Sequence, residues 1–352
     1  MKKMKKFLSL SVATVLALSM TACGSKAGDT QNADATEKSS SNATEKSSSN
    51  ATEKSSSNAK YTVGICQLVQ HEALDAATKG FKDYLTEKLG DDVVFDEQNA
   101  QGDSATCATI VNSFVSKNED LILANATAPL QSAAAATTDI PILGTSVTDY
   151  ATALDISDWS GTTGRNISGT SDLAPLSEQA AMLNELFPDA KNVGLLYCSA
   201  EANSQYQIDV IKEELEKLNY TCTAYSFVDS NDIASVVQSA VNDNDVLYVP
   251  TDNTAASNTE VINNIAGEAG VPIIAGEAGI CKGCGVATLS ISYYDLGYQT
   301  GKMAYEILVN GADPSTMEVE FAPAVTKQYN PDICEKLGIT VPDDYKALDM
   351  SE

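Results

Sequence analysis

Histidine and tryptophan each occur once in these 352 residues, aromatic side chains make up 6%, and 22 lysines and arginines face 48 aspartates and glutamates. A single imidazole, His71, gives poor support for a zinc site. The formal net charge of −26 argues against nucleic acid and anionic lipid surfaces as partners, since both need a basic footprint. No apolar run approaches the ~20 residues that span a bilayer. The sequence also lacks a G-x-S-x-G elbow, a G-x-x-x-x-G-K-[ST] loop and an H-E-x-x-H pair, and Gly279 to Gly285 lacks dinucleotide spacing. No enzyme, cofactor or metal is therefore expected.

The eight cysteines show no regular spacing, so they do not read as a disulfide framework. Cys66, Cys107, Cys198 and Cys222 sit in apolar patterns, where a thiol acts as a small hydrophobe. Cys281-Lys282-Gly283-Cys284 is the one C-x-x-C motif, placed by the sequence in a glycine-rich loop before a strand at 286–291. A redox pair is expected at a helix start, so a structural or incidental pair is the favoured reading.

What is present begins with Lys2, Lys3, Lys5 and Lys6, an apolar run from Phe7 to Leu18, and the small residues Thr21 and Ala22 before Cys23 and Gly24. This is the layout of a cleavable export signal over 1–22, with Cys23 where a bacterial lipobox puts its lipidated thiol. The predicted location is extracytoplasmic, held to the cell membrane by lipid alone. From Ala35 the unit ATEKSSSN occurs three times in succession, and Leu, Ile, Val and aromatics are absent between Gly24 and Lys60. Such a segment buries too little apolar surface to fold, and 23–59 is expected to be a disordered spacer.

Strand and helix patterns alternate from Tyr61 onward. Strands are expected at 61–68, 92–97, 120–124 and 140–144, with helices at 73–89, after Asp103, and at about 129–137. A second set follows: strands at 192–198, 220–227, 245–250, 271–275 and 286–291, with helices at 204–218, 231–242 and 255–269. Val63-Gly64-Ile65 recurs as Val193-Gly194-Leu195, Asp120-Leu121-Ile122-Leu123 as Asp245-Val246-Leu247-Tyr248, and Ile140-Pro141-Ile142 as Val271-Pro272-Ile273, at near-equal offsets. The fold class is therefore α/β, two Rossmann-like lobes with parallel sheets. A last helix at about 295–309 and the segment 316–328 imply a three-strand hinge. The expected lobes are 60–168 plus 292–322 and 169–291 plus 323–345.

Several motifs then converge. Gly64-Ile65-Cys66-Gln67, His71-Glu72-Ala73-Leu74-Asp75, Gln98-Asn99-Ala100-Gln101-Gly102-Asp103, Gly169-Thr170-Ser171-Asp172, Ser199-Ala200-Glu201-Ala202-Asn203-Ser204, Tyr248-Val249-Pro250-Thr251-Asp252-Asn253 and Tyr293-Tyr294-Asp295-Leu296-Gly297 resemble the substrate-binding lipoproteins of ABC transporters, of the tryptophan/tyrosine-type branch. The resemblance covers essentially all of 60–340. It implies a type I periplasmic-binding-protein fold, a monomer that captures an amino acid by lobe closure, and delivery to an ABC permease with its ATPase. It further implies an aromatic ligand, tryptophan or tyrosine, and adds Ser171 and Asp172 to the candidate site. Glu72, Glu277 and the Cys281/Cys284 segment depart from the family pattern.

Ligands of parallel sheets sit beyond the carboxyl ends of the strands. That selects Gln67, His71, Asn125, Thr127, Thr145 and Ser146 in one lobe, and Ser199, Glu201, Asn203, Ser204, Thr251, Asp252, Asn253 and Glu277 in the other. A zwitterion fits this set. Ser199, Asn203 and Ser204 would take the carboxylate at a helix start, and Asp252, with Thr251 or Glu277, would take the ammonium. Tyr150, Trp159, Tyr206, Tyr293 and Tyr294 are candidates to stack on a ring. The competing readings are a ligand sensor for a sugar or nucleoside and a thiol oxidoreductase using Cys281 and Cys284.

Overall fold

The computed structural model describes residues 59–351 with the exception of residue 323. The expected export signal, Cys23 and the ATEKSSSN spacer lie outside the described residues. Strands β1 (Tyr61–Gln67), β2 (Val93–Asn99), β3 (Leu121–Asn125), β4 (Ile142–Val147) and β5 (Ile167–Ser171) alternate with helices α1 (Glu72–Leu89), α2 (Ser104–Lys117), α3 (Thr127–Ala136) and α4 (Tyr150–Leu154). After α5 (Leu176–Leu186) come β6 (Asn192–Cys198), α6 (Ala202–Lys217), β7 (Thr221–Phe227), α7 (Ile233–Asp243) and β8 (Val246–Val249). Next are α8 (Asn253–Ala256), α9 (Thr259–Ala269), β9 (Ile273–Ala275), α10 (Ala278–Cys284), β10 (Ala287–Ser290) and α11 (Tyr293–Asn310). The last elements are β11 (Glu320–Phe321), β12 (Thr326–Tyr329), α12 (Pro331–Leu337) and β13 (Lys346–Ala347).

These strands form two sheets, in the order β11-β5-β4-β3-β1-β2 and β13-β12-β10-β9-β8-β6-β7. The order within each α/β unit is the same, so each lobe has its own switch point, between β1 and β3 and between β6 and β8. β3 is buried along its whole length, as a strand covered on both faces must be. All pairs in the first sheet are parallel. The second departs from the all-parallel expectation: β12, inserted between β10 and the short edge strand β13, runs antiparallel to β10, because the chain returns to it from the first sheet.

The chain changes sheets after β5, after β10 and after β11. The expected boundary at 168/169 falls inside β5, whose pairing with β4 extends to Ser171, so the first crossing follows Ser171. Two helical expectations also change. The helix expected over 255–269 is two pieces, α8 and α9, and residues 278–284 form α10 rather than a loop. Glu277 makes that helix, accepting from the backbone N–H groups of Gly279 and Ile280, which supplies the N-cap that two glycines would otherwise weaken.

Helix α11 completes the first lobe. Met303, Ala304 and Ile307 pack with Val63, Ile65, Phe81 and Leu85 in one buried cluster. The backbones of α1 and α11 meet at glycines: a Cβ on Gly297 would collide with the Ala77 carbonyl, and one on Gly80 with the Tyr294 carbonyl. Neither obstacle is a flexible side-chain end, so the helices must separate to admit a methyl group. We predict that Gly297→Ala lowers unfolding free energy by about 1–3 kcal/mol, the usual range for overpacking, while exposed Lys302→Ala on the same helix does not. Urea denaturation checks this, and an unchanged midpoint for Gly297→Ala would refute the seam.

Candidate functional site

The carboxyl ends of the two sets of strands face each other, and between them lies a nearly closed cavity of about 10 Å³ lined by residues of both lobes. That is about the space one water needs, far below the roughly 300–1,000 Å³ of ligand sites, so the lobes must part for a ligand to enter. The first lobe contributes His71, Leu74, Ser146 and Thr148, the crossings contribute Asp172 and Tyr293, and the second lobe contributes Asn203, Thr251, Asp252, Asn253, Ala256 and Glu277. A larger open groove of about 350 Å³ adjoins it and shares Asn203 and Asn253. The lobes touch across the cleft: His71 Nε2 lies 3.2 Å from Asn253 Oδ1, and Lys282 lies 3.6 Å from Glu72.

Half of the sequence-selected residues meet at this cavity, namely His71, Ser146, Asp172, Asn203, Thr251, Asp252, Asn253 and Glu277. The other half serve the scaffold or the groove. Gln67 donates to Val69 O and Asp75 and accepts from Thr78, while Asn125 donates to Leu74 O and Thr78. Both thereby tie strand ends to α1. Thr145 faces Thr170 across β4 and β5, Ser171 donates to Thr148 O at 2.8 Å, and Ser199 donates to Phe227 O. Ser204 is fully buried under α6, and Thr127 and Glu201 line the groove instead.

Backbone geometry explains why Ser146 is the exception in its strand. The β4–β5 register shifts between Gly144 and Val147, a bulge that re-aims side chains. Ser146 sits in it at φ 54°, a left-handed conformation that costs a non-glycine residue energy. Its hydroxyl is buried in the cavity wall without a hydrogen-bond partner.

Asp252 and Glu277, the expected partners of the ammonium, line the cavity and also serve as helix caps. Asp252 accepts from the N–H groups of Cys198 (2.7 Å) and Ala255 (2.8 Å). Glu277 accepts from Gly279 and Ile280. Glu201 takes the N–H of Asn253 and Thr254 and both of their side chains. These carboxylates cap α8 and α10. Burial raises the carboxyl pKa of both Asp252 and Glu277 to about 7, with the Glu201 charge adding to the Asp252 shift.

Asp172 differs. It is 4% exposed, its Oδ2 accepts from the Tyr293 hydroxyl at 2.9 Å, and its buried Oδ1 makes no hydrogen bond of normal geometry, although the nearby Thr148 hydroxyl also favours the ionised form. Burial raises its pKa above the usual carboxylate range. An unpartnered buried acceptor is costly, and this one lines the cavity.

Tyr293 is the one member of the five aromatic candidates in the cavity wall. Tyr150 is buried in the first-lobe core with its hydroxyl on Thr170 O, and Trp159 stacks against it. Tyr294 faces outward and donates to Asp83, and Tyr206 lies on α6 away from the cavity wall. Thr148, Leu74 and Ala256 line the cavity but were not selected from sequence. Thr148 lies just past a strand end, so one more residue of reach would have found it.

The redox reading fails on burial. Cys281 and Cys284 are free thiols at 0% and 3% exposure in α10, and desolvation pushes both pKa values far up. The thiolate that exchange chemistry requires is suppressed. Among the described residues no group of His, Cys, Asp and Glu is placed to hold a metal ion.

Comparison with known proteins matches this architecture. Residues 62–350 match the family model for ABC transporter substrate binding proteins. A tyrosine-binding protein of Clostridioides difficile (strain R20291) is 38% identical over 311 residues, covering 88% of this chain and 85% of the relative. The ABC domain in complex with L-Trp from Streptococcus pneumonia superposes with a TM-score of 0.77 at 32% identity, covering 81% of this chain and 97% of that one. The ligand-free, open structure of a Clostridium difficile substrate binding protein with adhesive properties gives a TM-score of 0.64 at 37% identity, covering 83% and 100%. The better fit to the ligand-bound relative, despite lower identity, agrees with the contacts that close the cleft here. The duplicated sheets, the shared cavity and these matches lead to one conclusion: the chain belongs to the ABC transporter substrate-binding protein family.

Proposed function

We propose that this protein is the lipid-anchored, extracytoplasmic, monomeric binding component of an ABC importer, and that it captures an aromatic amino acid and presents it to the permease and its ATPase without converting it. The observation that carries the ligand class is the buried, unpartnered Oδ1 of Asp172 in the cavity wall. An ammonium there would restore the missing hydrogen bond and bring a charge that offsets the buried carboxylate. The Tyr293 ring in the same wall supplies a flat apolar surface for an aromatic side chain, and the Ser146 hydroxyl is free to donate to a carboxylate. Relatives named for tyrosine and solved with L-Trp support the aromatic choice. The lobes meet through His71 with Asn253 and Glu72 with Lys282, contacts available only when the cleft is closed. The lipobox at Cys23 supports anchoring.

Isothermal titration with L-tyrosine and L-tryptophan tests this reading. A charged hydrogen bond is worth about 1.5–3 kcal/mol, so Asp172→Asn is predicted to weaken binding by roughly 10- to 150-fold in a protein that still folds. Retention of wild-type affinity would remove Asp172 from the site. Asp252→Ala should behave in the opposite way, losing about 0.5–2 kcal/mol of stability as a cap while keeping affinity within about tenfold, as read by thermal unfolding and titration together.

Affinity should also depend on pH. The free Asp172 carboxyl binds its proton more tightly than an ordinary carboxylate because of burial, and a bound ammonium would hold it ionised. Binding is thus strongest above the raised pKa and falls as pH drops through it. Titrations carried downward from pH 8 should show this loss for the native protein and a flatter profile for Asp172→Asn. Equal slopes for the two would be the contrary result.

A further inference from the structure

Two helix starts that border the cavity, one from each lobe, are left open by the protein. Helices α8 and α10 begin under the carboxylates of Asp252 and Glu277, and α11 under the Ser292 hydroxyl. Among the described residues no side chain caps α1 or α6. The first backbone bonds run from Asp75 to His71 O in α1, and from Ser204 and Gln205 to Glu201 O in α6. The N–H groups of Glu72, Ala73 and Leu74, and those of Ala202 and Asn203, therefore stand free at two positive dipole ends. The two helices hold equivalent places in the duplication, since each follows the first strand of its unit, β1 or β6.

These starts lie close together. His71, the residue before α1, meets Asn253 Oδ1 at 3.2 Å, and Asn253 Nδ2 donates at 2.7 Å to Glu201, the residue before α6. His71 and Leu74 from one start and Asn203 from the other line the cavity. An independent feature points to the same occupant: Ser146 is 6% exposed in the same wall, and its hydroxyl has no partner. The protein supplies no acceptor of its own for these donors. Asp252, Glu277 and Glu201 each have both oxygens on donors elsewhere.

From this arrangement we infer that the ligand's carboxylate is received between the starts of α1 and α6, with the Ser146 hydroxyl as a third donor, and so ties the two lobes together. This rests on the proposed amino-acid reading and names the groups that read the acid end. The two oxygens of a carboxylate can accept from both helices at once. The closed cavity has room for about one water, so the lobes stand farther apart around a ligand, and a group that accepts from both sides spans the gap. An amine without the acid end would leave both helix starts unbridged.

Titration of the purified full chain at pH 7.5 with L-tyrosine, L-tryptophan, tyramine and tryptamine tests the inference. Each amine is expected to bind about thirtyfold or more weaker than its parent amino acid. Proline at the first helical position removes one free N–H and is tolerated there, and His71 and Glu201 are already extended, as a residue before proline must be. With the tighter amino acid, Glu72→Pro should bind about threefold or more weaker than Glu72→Ala, and Ala202→Pro likewise against the native chain. Ser146→Gly, which suits φ 54°, should lose about fivefold or more. If an amine binds within about thirtyfold of its parent, or if any of these three variants shows a smaller loss, the inference is overturned and the amino-acid reading stands. If neither amino acid binds, both fall.

Discussion

Carboxylates buried between two lobes are the constraint on which the site depends. Moving an ionised carboxyl out of water costs several kcal/mol unless it is paired or hydrogen-bonded, and Asp172, Asp252 and Glu277 all line one small cavity. The chain solves this locally for two of them by giving each a pair of backbone N–H groups. The third lies at a crossing between lobes, accepts from the Tyr293 hydroxyl at the start of α11, and has one oxygen without a hydrogen-bond partner. In the proposed reading a cationic ligand group would complete that shell, so that ligand and closure support each other. Without it, closing the lobes would bury the unpaired oxygen at a net loss.

The fold was largely legible in the sequence because parallel strands covered on both faces leave continuous apolar runs, and helices between them leave a helical stripe. The duplication added an internal check, since Val63-Gly64-Ile65 and Val193-Gly194-Leu195 occupy the same place in their sheets, β1 and β6. The misreadings have physical causes. Segment 278–284 carries two glycines and so lacks helix propensity, yet Glu277 supplies a cap strong enough to form α10. The break between α8 and α9 falls at Ser257 and Asn258, polar residues that compete with the helix backbone.

The site was half legible. Strand ends locate the residues near the cleft, but the direction of a side chain depends on the partners around it. Gln67 and Asn125 stand at the right ends and turn back to hold α1. Asp252 and Glu277 reach the cavity and also cap α8 and α10. Ser146 reaches the cavity because of a bulge in β4, a feature with no reliable signature in residue type. Asp172 was selected by motif resemblance alone, since no argument from periodicity puts a functional group at a lobe crossing.

The glycine seam between α1 and α11 has a consequence for synthesis. The core under β1 needs Met303, Ala304 and Ile307, which the ribosome makes only after the whole second α/β unit. The lobe that starts first is therefore finished last, and its apolar sheet face stays uncovered while most of the polypeptide emerges. Such long-range closure slows folding and prolongs exposure of strand edges. In the export route proposed above, late completion would keep the nascent molecule extensible until it has passed through the membrane.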